Sequence, residues 1–273
     1  CEFEQAGVEM LGASGAAADA EVIVLAAEAL QAAGLQKFAI SLGHVDFING
    51  LAEEAGFDAA QLQQLKDYLR RHDAVGMQQM ADAMENIRTE IKQLFADFLF
   101  LQGGIELLDK VAAIVTNAKC QGALNDLRKI YKLVDAYGAA GYLSFDLGLY
   151  RSLDYYTGML FEVYLPEMGY PVAGGGRYDK MMQRFGLECP ATGFAVGVDR
   201  VLLALERNGV ATNNRTWDVL VAWSEGKLPE AIAKATALRR EGRSVKLLTE
   251  AADLQGAALA VKEYGCKSLV YVE

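Results

Sequence analysis

Four strand-like segments within one stretch constrain this chain more than anything else in it: "YLSFDLGLY" (142–150), "GMLFEVYL" (158–165), "PVAGG" (171–175) and "ATGFAVGV" (191–198). Each is a short apolar run bounded by turn residues, and most of the connectors are short. Parallel neighbours need a crossover of a dozen or more residues, so these segments are expected to form an antiparallel sheet. The third is followed by a short helix, "RYDKMMQRF", and the fourth runs into an amphipathic helix, "DRVLLALERNG".

The remainder divides around that sheet. Residues 1–50 alternate between an extended "EFEQAGVEML", a turn "GASGAAAD", a helix "AEVIVLAAEALQAAGL" with Asp19 as its cap, and a strand "KFAISLG". From about 46 to 137 the apolar spacing is helical throughout, which predicts a helical insertion or lid. After "NGVATNNRT" the order becomes β-α-β-α-β, the pattern of a small parallel α/β domain. The expected fold class is α+β, with a core over residues 1–210 and a separate α/β domain over 211–273. The chain opens at Cys1 inside a strand-like run, without methionine or signal pattern, and stops after a third strand. An N-terminal part is therefore expected to precede it, and the last domain to be cut short.

Composition narrows the function classes. A 52% hydrophobic content over 273 residues supports a real core, and no uninterrupted apolar run is long enough for a membrane span. A net charge of −10 argues against holding nucleic acid as the main task, although a local basic patch remains open. The four cysteines are scattered, which favours neither zinc nor a disulfide framework and fits a reducing cytoplasm. No metal constellation, cofactor motif or catalytic carboxylate pair is visible.

"RSLDYYTGMLFEVY" (151–164) carries the first candidate site. Ordinary strand alternation would place Leu153, Tyr155 and Phe161 in a core, yet Asp154, Tyr155 and Tyr156 lie between two polar anchors, Arg151 and Glu162. Tyrosines with polar tips suit a pocket for a flat amphiphilic ligand. In "AGGGRYD" (173–179) the glycines either make a tight turn or let a ligand lie on the backbone, with Arg177 and Tyr178 at the rim. In "GFAVGVDRVLLALE" burial is expected to explain Phe194, Val196, Val201, Leu202 and Leu205 but not Arg200, which could clamp a phosphate or carboxylate. His44 fits a structural cap for the following helix; His72 and the "LRRH" and "ALRREGR" clusters fit solvated faces.

Together these segments resemble the class II aminoacyl-tRNA synthetase core, specifically the histidyl-tRNA synthetase group. "RSLDYYTG" and "AGGGRYD" are similar to its two histidine-specific motifs, "GFAVGVDR" to the third class II motif, and "EFEQAGVEMLG" (2–12) to the strand closing the second. The resemblance implies a histidine pocket. Gln5 and Glu9 would hold the amino group and imidazole region, Arg151 the carboxylate, and Tyr155, Tyr156 and Tyr178 would wall the ring. Arg200 would contact a nucleotide phosphate.

The same fold serves a paralogue, the regulatory subunit of ATP phosphoribosyltransferase, and three features lean towards it. "SLGHVDFINGL" carries a Gly43-His44 pair where synthetases commonly have asparagine. Ser152 replaces the glycine of "RGLDYY", and "SLDYYTGMLFEVYLPEMGYPVAGGGRYD" as a whole is closer to the paralogue. The tail resembles an anticodon-binding domain without a lysine-rich helix start. This resemblance implies a non-catalytic cytoplasmic subunit that partners a short-form ATP phosphoribosyltransferase catalytic subunit, takes L-histidine as effector and forms a homodimer within a hetero-oligomer. A histidyl-tRNA synthetase, charging tRNA with ATP, is the alternative.

Overall fold

A computed structural model of the chain describes residues 2–151, 155–210 and 217–273. Contacts divide it into two units, 1–210 and 211–273, each described by itself. The expected Leu153 core contact, Ser152 and Asp154 lie outside the described residues, as does Cys1.

In chain order the first unit contains β1 (Gln5–Leu11), α1 (Ala16–Ala32), β2 (Ala39–His44), α2 (Val45–Glu54), α3 (Ala59–Arg71), α4 (Ala74–Asp82) and α5 (Thr89–Ala96). It continues with β3 (Gln102–Gly103), α6 (Glu106–Ala112), α7 (Ala118–Ala136), β4 (Leu143–Asp146), β5 (Met159–Tyr164), β6 (Ala173–Arg177), β7 (Ala191–Gly197) and α8 (Val198–Arg207). The seven strands form one sheet in the order β1-β7-β6-β5-β2-β4-β3. Its neighbours are antiparallel except for β2 and β4, which run parallel with Ile40 opposite Leu143.

That parallel pair explains the helical block between them. A parallel return requires a crossover, and the crossover helices cover the sheet. α2 and α7 join α1 in a single core cluster with the sheet's apolar face, through Phe47, Leu51, Leu124, Leu127 and Ile130. These two helices thus belong to the core and not to a lid, and the block is interrupted by β3 at the sheet edge. The segment expected as a strand at 142–150 is extended only over β4, and "RYDKMMQRF" contributes one short 3-10 turn at Met182–Phe185.

Two local expectations resolve differently. His44 caps α2 as anticipated, its Nδ1 accepting the Asp46 N–H at 3.2 Å. Asp19 does not cap α1, which starts three residues earlier after Gly15 at φ 84°. Helix periodicity could not reveal the added Ala-rich first turn, because alanine carries no side that must be buried. His72 ends α3 in an exposed left-handed conformation.

The second unit contains β8 (Val219–Trp223), α9 (Leu228–Arg240), β9 (Val245–Leu247), α10 (Leu254–Glu263) and β10 (Ser268–Val272). Its parallel sheet has the order β10-β8-β9, and Val219, Val221, Ala231 and Ala235 are fully buried in a small core of their own. Among the described residues no helix is long and apolar enough to cross a membrane.

Candidate functional site

Strand alternation builds the site. Registered partners across a sheet share a face, and from β1 the register runs Gln5 to Gly197 and Glu9 to Gly193, then Gly193 to Gly176 and Ala195 to Gly174. It continues from Gly174 to Glu162 and from Glu162 to Ser41. One face of the sheet is therefore polar and largely bare of side chains, while Phe194, Val196, Phe161 and Leu42 face the helices from the other.

The bare positions are occupied by neighbouring side chains. A Cβ on Gly174 would lie 2.5 Å from Nη1 of Arg151, and one on Gly176 would lie 2.9 Å from the Tyr156 ring. A Cβ on Gly193 would run into the Glu9 carboxylate. The glycines of "AGGGRYD" and "ATGFAVG" thus form a floor that admits an arginine, a tyrosine and a glutamate.

On that floor the aromatic residues form a continuous wall. Tyr178, directly after β6, donates its hydroxyl to Glu9. Tyr155 meets Tyr178 edge-on at 5.7 Å and Tyr156 at 4.6 Å, their hydroxyls 3.5 Å apart. The Arg151 guanidinium lies 5.9 Å from the Tyr156 ring centre. Burial pushes the Tyr156 and Tyr178 hydroxyls well above their ordinary pKa, and for Tyr178 the Glu9 carboxylate adds to it. Both therefore remain protonated donors at neutral pH.

The Arg151 Nε lies 3.5 Å from Glu162, whereas the buried Nη1 has no hydrogen-bond partner among the described residues. Beside it a cavity of about 390 Å³ is lined by Gln5, Arg151, Gly174, Gly197 and Arg200, with Phe3 also on its wall. Arg200 is the third residue of α8. Its guanidinium donates to the Pro171 carbonyl and lies 5.0 Å from the Tyr170 ring centre, which gives it a local role as well as access to the cavity.

Gln5, Arg151 and Arg200 thus line this cavity, while Glu9, Tyr155, Tyr156 and Tyr178 form a contiguous cluster of mutual contacts. Arg177 joins neither. It is buried on the opposite face, with Nη2 2.8 Å from Asp19 and Nη1 2.9 Å from Asp179, and donates to the Ala13 and Gly15 carbonyls. One residue of alternation separates it from Gly176 and sends it towards α1 instead of the rim. Sequence reasoning missed Tyr164, although "FEVY" places it two residues from Glu162 on the same face.

Chemically, the arrangement offers a carboxylate at one end, phenolic walls and a guanidinium at the other. This suits a small ligand with a cationic or N–H-rich end and an anionic end. Among the described residues no group of three or more His, Cys, Asp or Glu is placed to hold a metal ion.

Comparison with known proteins gives the family. Residues 1–201 match the family described as Histidyl-tRNA synthetase. The ATP phosphoribosyltransferase regulatory subunit of Desulforamulus reducens is 40% identical over 244 residues, covering 89% of this chain and 61% of that protein. Its counterpart from Acetivibrio thermocellus is 37% identical over 256 residues, covering 94% and 61%. The chain thus spans about three fifths of the length of these relatives. A solved Bacillus halodurans structure, described as an ATP phosphoribosyltransferase regulatory subunit/histidyl-tRNA synthetase, matches with a TM-score of 0.79 at 31% identity, covering 99% of this chain and 69% of that one. Histidyl-tRNA synthetase from a Nostoc species, 21% identical with a TM-score of 0.73, shares the fold. The chain therefore belongs to the histidyl-tRNA synthetase-like family, alongside its ATP phosphoribosyltransferase regulatory subunits.

Proposed function

We propose that the whole protein is the non-catalytic regulatory subunit of an ATP phosphoribosyltransferase. It activates a short-form catalytic subunit in the first step of histidine biosynthesis and conveys feedback inhibition by L-histidine. Histidine lies against the side chains that cover the glycine floor: Glu9 and Gln5 meet its amino and imidazole nitrogens, Tyr155, Tyr156 and Tyr178 flank the ring, and Arg151 takes the carboxylate. The observation that carries this reading is the buried Nη1 of Arg151, which has no hydrogen-bond partner among the described residues and lies on the same sheet face as Glu9. If histidine binds one arrangement of the hetero-oligomer more tightly than another, it shifts the population without further machinery.

The test is reconstitution of the full-length protein with a short-form ATP phosphoribosyltransferase, measuring phosphoribosyl-ATP formation with and without L-histidine. Activation together with histidine sensitivity that is lost in Arg151→Ala is the expected result. The cavity joining Arg151 to Arg200 favours a second reading, a histidyl-tRNA synthetase with ATP phosphates at Arg200. Histidine-dependent ATP–pyrophosphate exchange without any effect on the transferase would establish that reading instead.

A further inference from the structure

The glycine floor explains how Arg151 fits but not what aims it. Arg151 follows β4 in a connecting segment, outside any strand, so no register fixes its side chain. Its Nε faces Oε1 of Glu162 at 3.5 Å. The other carboxylate oxygen of Glu162 accepts the Tyr164 hydroxyl at 2.5 Å. Glu162 and Tyr164 stand two residues apart on β5, on the polar face, and both are only partly accessible. A carboxylate hydrogen-bonded at one oxygen and ion-paired at the other is restrained in its rotation. An arginine engaged through Nε turns its Nη edge away from that anchor. Burial, followed by the neighbouring Glu162, pushes the Tyr164 hydroxyl upward in pKa, so it remains a donor.

We infer that Glu162 and Tyr164 are positioning residues: they hold Arg151 with Nη1 over Gly174, and so make the pocket select ligands that carry a carboxylate. This rests on the histidine-pocket reading above. A purely structural Glu162, present only to neutralise a half-buried guanidinium, would affect all ligands of the pocket alike. Positioning acts on the carboxylate end alone.

The experiment is calorimetric titration of the full-length protein with L-histidine and with histamine, which keeps the imidazole and amine and lacks the carboxylate. The wild type is expected to prefer histidine. Glu162→Gln should weaken histidine about tenfold and leave histamine within about twofold, since one charge-assisted contact is displaced. Tyr164→Phe, a milder change to folding, should lower the histidine-to-histamine ratio about threefold. If Glu162→Gln does not fold, Tyr164→Phe decides on the same ratio. An unchanged ratio in the variants, or an equal loss for both ligands, overturns the positioning role while leaving the pocket intact. A wild type that binds no histidine overturns the pocket reading and this inference with it.

Discussion

Glu9 and Tyr178 meet across the polar face of the sheet, phenol donating to carboxylate, above the bare backbone of Gly193. β1 and β7 are paired so that Glu9 lies opposite Gly193, and any side chain there would displace the carboxylate. Gly193→Ala is therefore expected to reduce histidine binding by about tenfold or more. Overpacking should cost roughly 1–3 kcal/mol of stability. Calorimetry with a urea melt checks both, and wild-type affinity in this variant would contradict the floor argument.

Asp19 and Arg177 are a buried pair with an energetic signature of their own. Removing Arg177 alone leaves the buried Asp19 charge uncompensated, whereas removing both leaves only the Asp179 carboxylate, which is exposed enough to be solvated. Arg177→Met should cost about 3–5 kcal/mol, and adding Asp19→Leu should recover most of it. A double-mutant cycle by urea denaturation measures this. A single-variant cost below about 1 kcal/mol would mean that the pair is solvated.

His44 gives a pH dependence on the acid side. Burial holds its imidazole below the ordinary 6.5, against the pull of the Asp46 and Asp126 carboxylates. The native state then prefers the neutral ring, so stability is lost as pH falls below 6.5, when the unfolded chain takes up the proton first. Protonation also removes the Nδ1 acceptor that caps α2. His44→Asn keeps a capping oxygen without a titration. Because asparagine fills less of the buried site, it should be about 1 kcal/mol less stable than the wild type at pH 7.5 and should close that gap by pH 5 in thermal melts.

Asp146 slopes the other way. Burial pushes its carboxyl up to about 6 against hydrogen bonds from the Gly148 N–H and Gln102. A raised carboxyl pKa contributes stability that is present below the ordinary 3.8 and lost as pH rises to about 6. With Gln102 turned so that its amide oxygen accepts from the new Nδ2, Asp146→Asn should match the wild type near pH 4 and exceed it by about 1–2 kcal/mol at pH 8. Parallel melts at the two pH values decide it, and a variant less stable at pH 8 would reverse the sign.

Much of this architecture is legible in the sequence. Alternation and helical spacing mark nearly every element, because burying one face of a strand or helix leaves a periodic trace in the sequence. The small unit's β-α-β-α-β order is such a case. The pocket motifs were legible too, as residue types: three tyrosines, a glycine run and an arginine that no core requires.

Periodicity and residue type thus specify which elements form and which polar side chains have no core to enter. The face that each one joins, and what it meets there, come from contacts made in the folded chain. Arg177 and Gly176 are adjacent in the chain yet lie on opposite faces, one bound to Asp19 of α1 and the other beneath Tyr156. β2 and β4 become parallel neighbours although about a hundred residues separate them, which draws α2 and α7 into the core. The physical reason is that such contacts join segments far apart in sequence, and their partners are fixed by strand register and close packing, which leave no local periodicity to detect.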